Sequence, residues 1–213
     1  MKPPRLAAVD VKLKLFWLAV AVELIGVATD QHILQWIAKP LIAPFLLWYL
    51  HKRGPIATAL VFATIGDIVL LIPGKLAFLL GMAAFLGTQI ALLTGFLRSG
   101  RPRALAIAGY AVLWVGVNAA LWGQLGALRG PILGYSLALA AMACAATGVS
   151  ARTGLGGALF LVSDLLIGVG AAGLDFPGRD LVVMATYAAA LYLIVTAAAV
   201  SARAPEPRPA ARR

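Results

Sequence analysis

Gly156-Gly157-Ala158-Leu159-Phe160-Leu161-Val162-Ser163-Asp164-Leu165-Leu166-Ile167-Gly168 is an apolar run with one acid near its middle. An aspartate at the centre of a spanning helix costs on the order of 2.5–3.5 kcal/mol on the insertion scale. It is kept there when a partner or a function needs it. An earlier run, Ala63-Thr64-Ile65-Gly66-Asp67-Ile68-Val69-Leu70-Leu71, repeats the design of a small residue, then Asp, then bulky aliphatics. The two acids are expected to face one another inside a membrane bundle.

Composition places the chain in that class. Of 213 residues, 62% are hydrophobic and only 12% charged, with a mean hydropathy of +0.94. Soluble domains sit near 45–50% apolar and about 25% charged. The single cysteine, Cys144, has no partner for a disulfide and no companion for a thiolate metal site. The formal net charge of +10 comes from short Lys and Arg clusters between apolar runs, not from one basic face. It therefore reads as topology and not as nucleic-acid binding.

Eight apolar segments follow one another, at about 15–28, 36–50, 56–72, 76–97, 104–121, 132–149, 156–173 and 181–200. Breakers separate most of them: Arg53-Gly54-Pro55, Pro73-Gly74, Ser99-Gly100-Arg101-Pro102, Gly130-Pro131 and Pro177-Gly178. The first run contains Glu23 and lacks a small-x-small exit, so it reads as a spanning helix and not as a cleaved signal. Eight crossings sort the basic residues well. The N-terminal segment, the connections after the second, fourth and sixth helices, and the tail hold all of them except Lys39, Lys75, Arg129 and Arg179.

The expected fold is thus all-α and polytopic, with eight transmembrane helices and both termini cytoplasmic, in a bacterial-type inner membrane. Residues 1–14 form a basic cytoplasmic segment, 15–200 the helical domain, and 201–213 a disordered cytoplasmic tail rich in Pro and Arg. The third and seventh helices then run in the same direction, which hints at a duplicated four-helix unit.

Polar residues at membrane depth mark a candidate site. Asp67, Asp164, Glu23, Lys39 and Asn118 all fall between the midplane and the outer surface, so a polar pocket in the outer half is expected. Trp114 and Trp122 flank Asn118 at helical spacing, an arrangement suited to an amphiphile. The simpler alternative for the acids is a structural ion pair or hydrogen bond, with Lys39 as a partner. His32 and His51 read as loop residues, and no spacing gives a metal site. Gly154-Leu155-Gly156-Gly157 reads as close helix packing and not as a phosphate loop.

Lys39-Pro40-Leu41, Gly66-Asp67, Tyr135 with Met142, Gly157-Ala158-Leu159-Phe160 with Ser163-Asp164, and Thr186-Tyr187 together resemble the YhhN/lysoplasmalogenase family, over about 36–195. The resemblance implies an eight-helix membrane enzyme, an ether hydrolase that cleaves the vinyl ether bond of lysoplasmalogens to a fatty aldehyde and a glycerophospho-base. Asp67 and Asp164 become the catalytic candidates. Lys39, placed near the phosphate, joins Asn118, Tyr135 and Glu23 as substrate-binding candidates. Two positions depart from the family pattern: Gln89 stands where a histidine is expected, and Leu191 where a glutamine is expected. Gln89 hydrogen-bonds but exchanges no proton near neutral pH.

The reaction that resemblance implies needs an acid, a base and a confined water, and two carboxyls enclosed together do not both ionise. Neither a metal nor an organic cofactor is required. The implied partners are a lysophospholipid substrate and the bilayer. The alternative is a small transporter or lipid-binding protein that uses the same acids for protons or cations. Intramembrane proteolysis is disfavoured, because Gly66-Asp67-Ile68 and Ser163-Asp164-Leu165 lack the Tyr-Asp and Gly-x-Gly-Asp signatures.

Overall fold

The computed structural model describes residues 10–51 and 53–201, so the first nine residues and residues 202–213 of the expected tail lie outside it, while Ser201, expected in the tail, ends the last helix. The described residues are helical and contain no strand. They form α1 (Val11–Ala28), α2 (His32–Leu50), α3 (Pro55–Leu70), α4 (Lys75–Ser99), α5 (Ala104–Leu121), α6 (Arg129–Thr147), α7 (Ala151–Ala171) and α8 (Arg179–Ser201), with a short 3-10 turn (Gly126–Leu128) before α6.

Helix limits follow local chemistry. Asp10 caps α1 through a 3.0 Å bond from the Lys12 amide, which starts the helix at Val11 and places Lys12 and Lys14 inside it, earlier than expected at Leu15. Pro55 occupies the first turn of α3, where its missing N–H costs nothing. Gly74, at φ 118°, turns the chain into α4 with a backbone that side chains disfavour. Ser150 accepts the Thr153 amide at 3.1 Å and opens α7 five residues before the expected Gly156. His32 is the first residue of α2 and not a loop residue.

Six helical segments, α2, α4, α5, α7, α8 and α6 with its preceding turn, are long and apolar enough to cross a membrane. The other two helices differ in plain ways. α1 carries Lys12, Lys14 and Glu23, and α3 has only 16 residues. Large apolar side chains point outward all round, as with Val112 at 73% exposure. A soluble monomer does not display such a surface, and this is the architecture of a helical membrane protein.

Successive helices other than α4 and α5 pack on one another around a core built from Phe16, Ile42, Leu46, Leu60, Met142, Phe160 and Ile194. Lipid is as apolar as leucine, so these helices associate through close packing. The glycines of α7 supply it. A Cβ on Gly156 would lie 3.1 Å from the Ala190 carbonyl of α8, and one on Gly157 would lie 3.1 Å from the Ala143 backbone of α6. By contrast α5 rests mainly on α6, and its one buried residue is Asn118.

The connections fall at two ends. The Lys12 ammonium donates to the His51 ring, Gly100 meets the Gly148 carbonyl, and the Arg152 guanidinium stacks on Tyr192. The end they define also contains Arg53, Arg98, Arg101 and Arg103, whereas the connections at the opposite end carry Lys75, Arg129 and Arg179.

Candidate functional site

A cleft of about 870 Å³, its open side included, lies toward the less basic end, between α3, α4, α5, α6 and α7. Its walls are almost wholly apolar, with Leu70, Phe78, Met82 and Leu121 among them. The polar groups that reach it are Trp114 and Asn118 from α5, Tyr135 and Ser136 from α6, and Asp164 from α7. Few polar groups converging in an apolar cavity is the usual form of a small-molecule site.

Asp164 is 7% exposed. Its Oδ2 accepts two hydrogen bonds, from the Tyr135 hydroxyl at 2.5 Å and from Gln89 Nε2 at 3.0 Å. Helix geometry explains the convergence, since α6 packs against both α4 and α7 and so brings Tyr135 and Gln89 to the same carboxyl. Oδ1 has no protein hydrogen bond among the described residues.

Asp67 is more secluded, at 1% exposure, and does not line the cleft. Its Oδ2 accepts the Tyr187 hydroxyl of α8 at 2.7 Å. The Tyr187 ring stands edge-on to Phe85 and Phe160, with both centroids 5.8 Å away. Phe85 lines the cleft on one side and meets Tyr187 on the other. Gly66, beside Asp67, admits that ring, since a Cβ there would lie 2.7 Å from it. The two aspartates are thus within electrostatic reach of one another but share no hydrogen bond. Each is held by its own tyrosine.

Glu23 and Lys39 belong to the Asp67 side. The Glu23 carboxyl is 1% exposed, and neither oxygen has a hydrogen-bond partner among the described residues. Lys39 is half-buried and acts electrostatically on both Glu23 and Asp67. Neither residue lines the cleft, so the phosphate-binding expectation for Lys39 finds no support there.

Asn118 does reach the cleft, but its amide is already engaged. Nδ2 donates to the Trp114 carbonyl at 2.9 Å and to Ser136 Oγ at 3.2 Å, while Trp114 Nε1 donates to Ser136 Oγ at 3.0 Å. Trp122 lies outside the cleft lining and carries the Arg129 guanidinium on its face. Of the two tryptophans expected around the amide, Trp114 lines the cleft and Trp122 meets a cation.

Sequence reasoning left three residues off its list of site residues. Gln89 had been singled out only as a departure from the family pattern, and Tyr187 only as part of a motif. Ser136 had no signal beyond its place next to Tyr135. Leu191 is buried in the core, where an apolar side chain packs without needing a partner.

Searches among curated proteins and among solved structures give no match. The YhhN family model matches residues 34–198, which takes in all of α3 to α7, nearly all of α2 and α8, and every cleft residue, leaving out α1 and with it Glu23. The chain belongs to the YhhN family.

Proposed function

We propose that this protein is an intramembrane hydrolase that cleaves the vinyl ether bond of lysoplasmalogen-like lysophospholipids, as expected of a lysoplasmalogenase-type family. The observation that carries the reading is Asp164: a carboxyl at the wall of an apolar cleft, with both donors on one oxygen and the other oxygen free.

That geometry suits a general acid. A protonated Asp164 gives the Oδ1 proton to the alkene carbon remote from the ether oxygen, forming an oxocarbenium ion. The Tyr135 and Gln89 bonds strengthen as the carboxylate forms, which favours the transition state over the ground state. Water adds to the cation and loses a proton. The hemiacetal then collapses to the aldehyde and the free glycerol hydroxyl. The proton released from water restores Asp164. Asp67 acts from outside the cleft lining, where its charge stabilises the cation at a distance. Lys39 and Glu23 set the charge around Asp67.

Crossing of the bilayer by all eight helices, with both termini and the basic end cytoplasmic, completes the proposal. One observation favours a second reading. Glu23, buried with no hydrogen-bond partner among the described residues, is the kind of group that handles protons or cations in transporters.

The test is aldehyde release from lysoplasmenylethanolamine by detergent-purified protein. Release by the wild type and its loss in Asp164→Asn support the hydrolase. A folded wild type that binds the lipid but releases no aldehyde sends the assignment to the second reading.

A further inference from the structure

A second recess lies beside the cleft, between α5 and α7. Ala106, Gly109, Tyr110 and Leu113 form one wall, and Ala158, Leu161 and Val162 form the other. Leu113 and Leu161 also line the cleft, so the two adjoin. Along α7 the order is Asp164, Leu161, Ala158, successive positions three apart that follow one face of the helix. The groove therefore begins at Leu161, about one helical turn from Asp164, and runs toward the basic end of the bundle.

Its chemistry and dimensions point to one occupant. Apart from the Tyr110 phenol the lining is apolar. From Leu121 at the cleft to Ala106 at the far end of the groove, α5 rises about 22 Å at 1.5 Å per residue. One leaflet of a bilayer core is about 15 Å deep. The walls are open because the small side chains of Ala106, Gly109 and Ala158 lie where larger ones would close the gap, and because α5 is held mainly by α6. A partner helix would cover the exposed face of α5 but would not follow the groove inward past Leu113 and Leu161.

We propose that the groove between α5 and α7 is the binding site for the hydrocarbon chain of a single-chain lipid, which enters sideways between these helices and presents its polar end at Asp164. This rests on the hydrolase reading for its substrate, but not for the groove itself. The occupant is one linear chain.

Gly109→Trp tests the proposal. A Cβ on Gly109 meets no atom within 4 Å, so the larger residue fits the fold while filling the groove. Val112→Trp, on the lipid-facing side of the same helix, is the control. With detergent-purified protein, Gly109→Trp is expected to lower kcat/KM for a long-chain lysoplasmenylethanolamine by roughly tenfold to a hundredfold, the scale on which one overpacked side chain acts. A short-chain analogue that ends before the groove should be cleaved as by the wild type. Val112→Trp should cleave both normally. Equal loss on long and short chains, or no loss on either, overturns the proposal.

A binding readout separates the groove from the catalysis. A lysophospholipid bearing a diazirine at its chain terminus should label the Ala106–Tyr110 or Ala158–Val162 peptides of the wild type, and less so those of Gly109→Trp. Ala158→Leu serves if the tryptophan variant does not fold. Labelling there without aldehyde release leaves the groove standing and removes the hydrolase. Labelling confined to other helices overturns the groove even if aldehyde is released.

Discussion

Tyr135→Phe removes one oxygen and leaves the ring in place, so it tests the hydrogen bond and not the packing. The lost bond is the shorter of the two on Asp164 Oδ2, and Gln89 Nε2 remains at 3.0 Å. Hydrogen bonds to a charged group contribute about 1.5–3 kcal/mol, which corresponds to a fall of roughly 10- to 150-fold when the loss is felt only in the transition state. If Asp164 gives up its proton in the rate-limiting step, the bond is strong only once the carboxylate has formed. The fall therefore appears in kcat, with KM within about twofold of the wild type. Aldehyde release measured against substrate concentration reads both constants. Gln89→Leu should act in the same direction, and the double variant should depart from additivity because both donors serve one oxygen. A Tyr135→Phe variant with unchanged or raised kcat would refute the acid role of Asp164, because a base becomes stronger when its donors are removed.

Asp164→Asn should lose on the order of 100- to 10,000-fold in aldehyde release, the usual contribution of a positioned acid, whereas Asp67→Asn should keep part of the activity; equal loss in the two would return Asp67 to the reacting atoms. Gly157→Ala, whose Cβ would lie 2.7 Å from the Ala146 Cβ and 3.1 Å from the Ala143 backbone, should destabilise by about 1–3 kcal/mol, while Gly109→Ala should not; detergent melting curves rank them. In the α7–α8 connection, the Arg179 guanidinium and the Phe176 amide hold the Asp175 carboxyl below its ordinary range. Any advantage of the wild type over Asp175→Asn is therefore present above the usual aspartate pKa and fades as pH falls through the lowered one. Asp175 is exposed, so the two proteins should melt close together throughout, and a large gap near neutral pH counts against a surface role.

Much of the helical layout is legible without a structure. Apolar runs, most of them separated by Pro and Gly, demarcate the eight helices, and α5 begins and ends at Ala104 and Leu121 as expected. The starts of α1 and α7 were missed because capping side chains, Asp10 and Ser150, extend helices through residues that hydropathy alone discounts. The roles expected of Asp67 and Asp164 as paired acids depended on a distance that helical spacing does not supply.

By itself the sequence determined that the chain is a set of apolar helices, that Asp67 and Asp164 fall within apolar runs, and which family it resembles, because hydropathy, breakers and motif order are local properties. Tertiary structure alone decided that Asp164 meets Tyr135 and Gln89 at a cleft while Asp67, away from it, meets Tyr187, whose ring packs edge-on against Phe85 and Phe160. Side chains 75 and 120 positions apart are brought together there. Such meetings depend on how helices rotate and cross, and that is set by which small residues allow backbones to approach, a property of pairs of helices that no single segment contains.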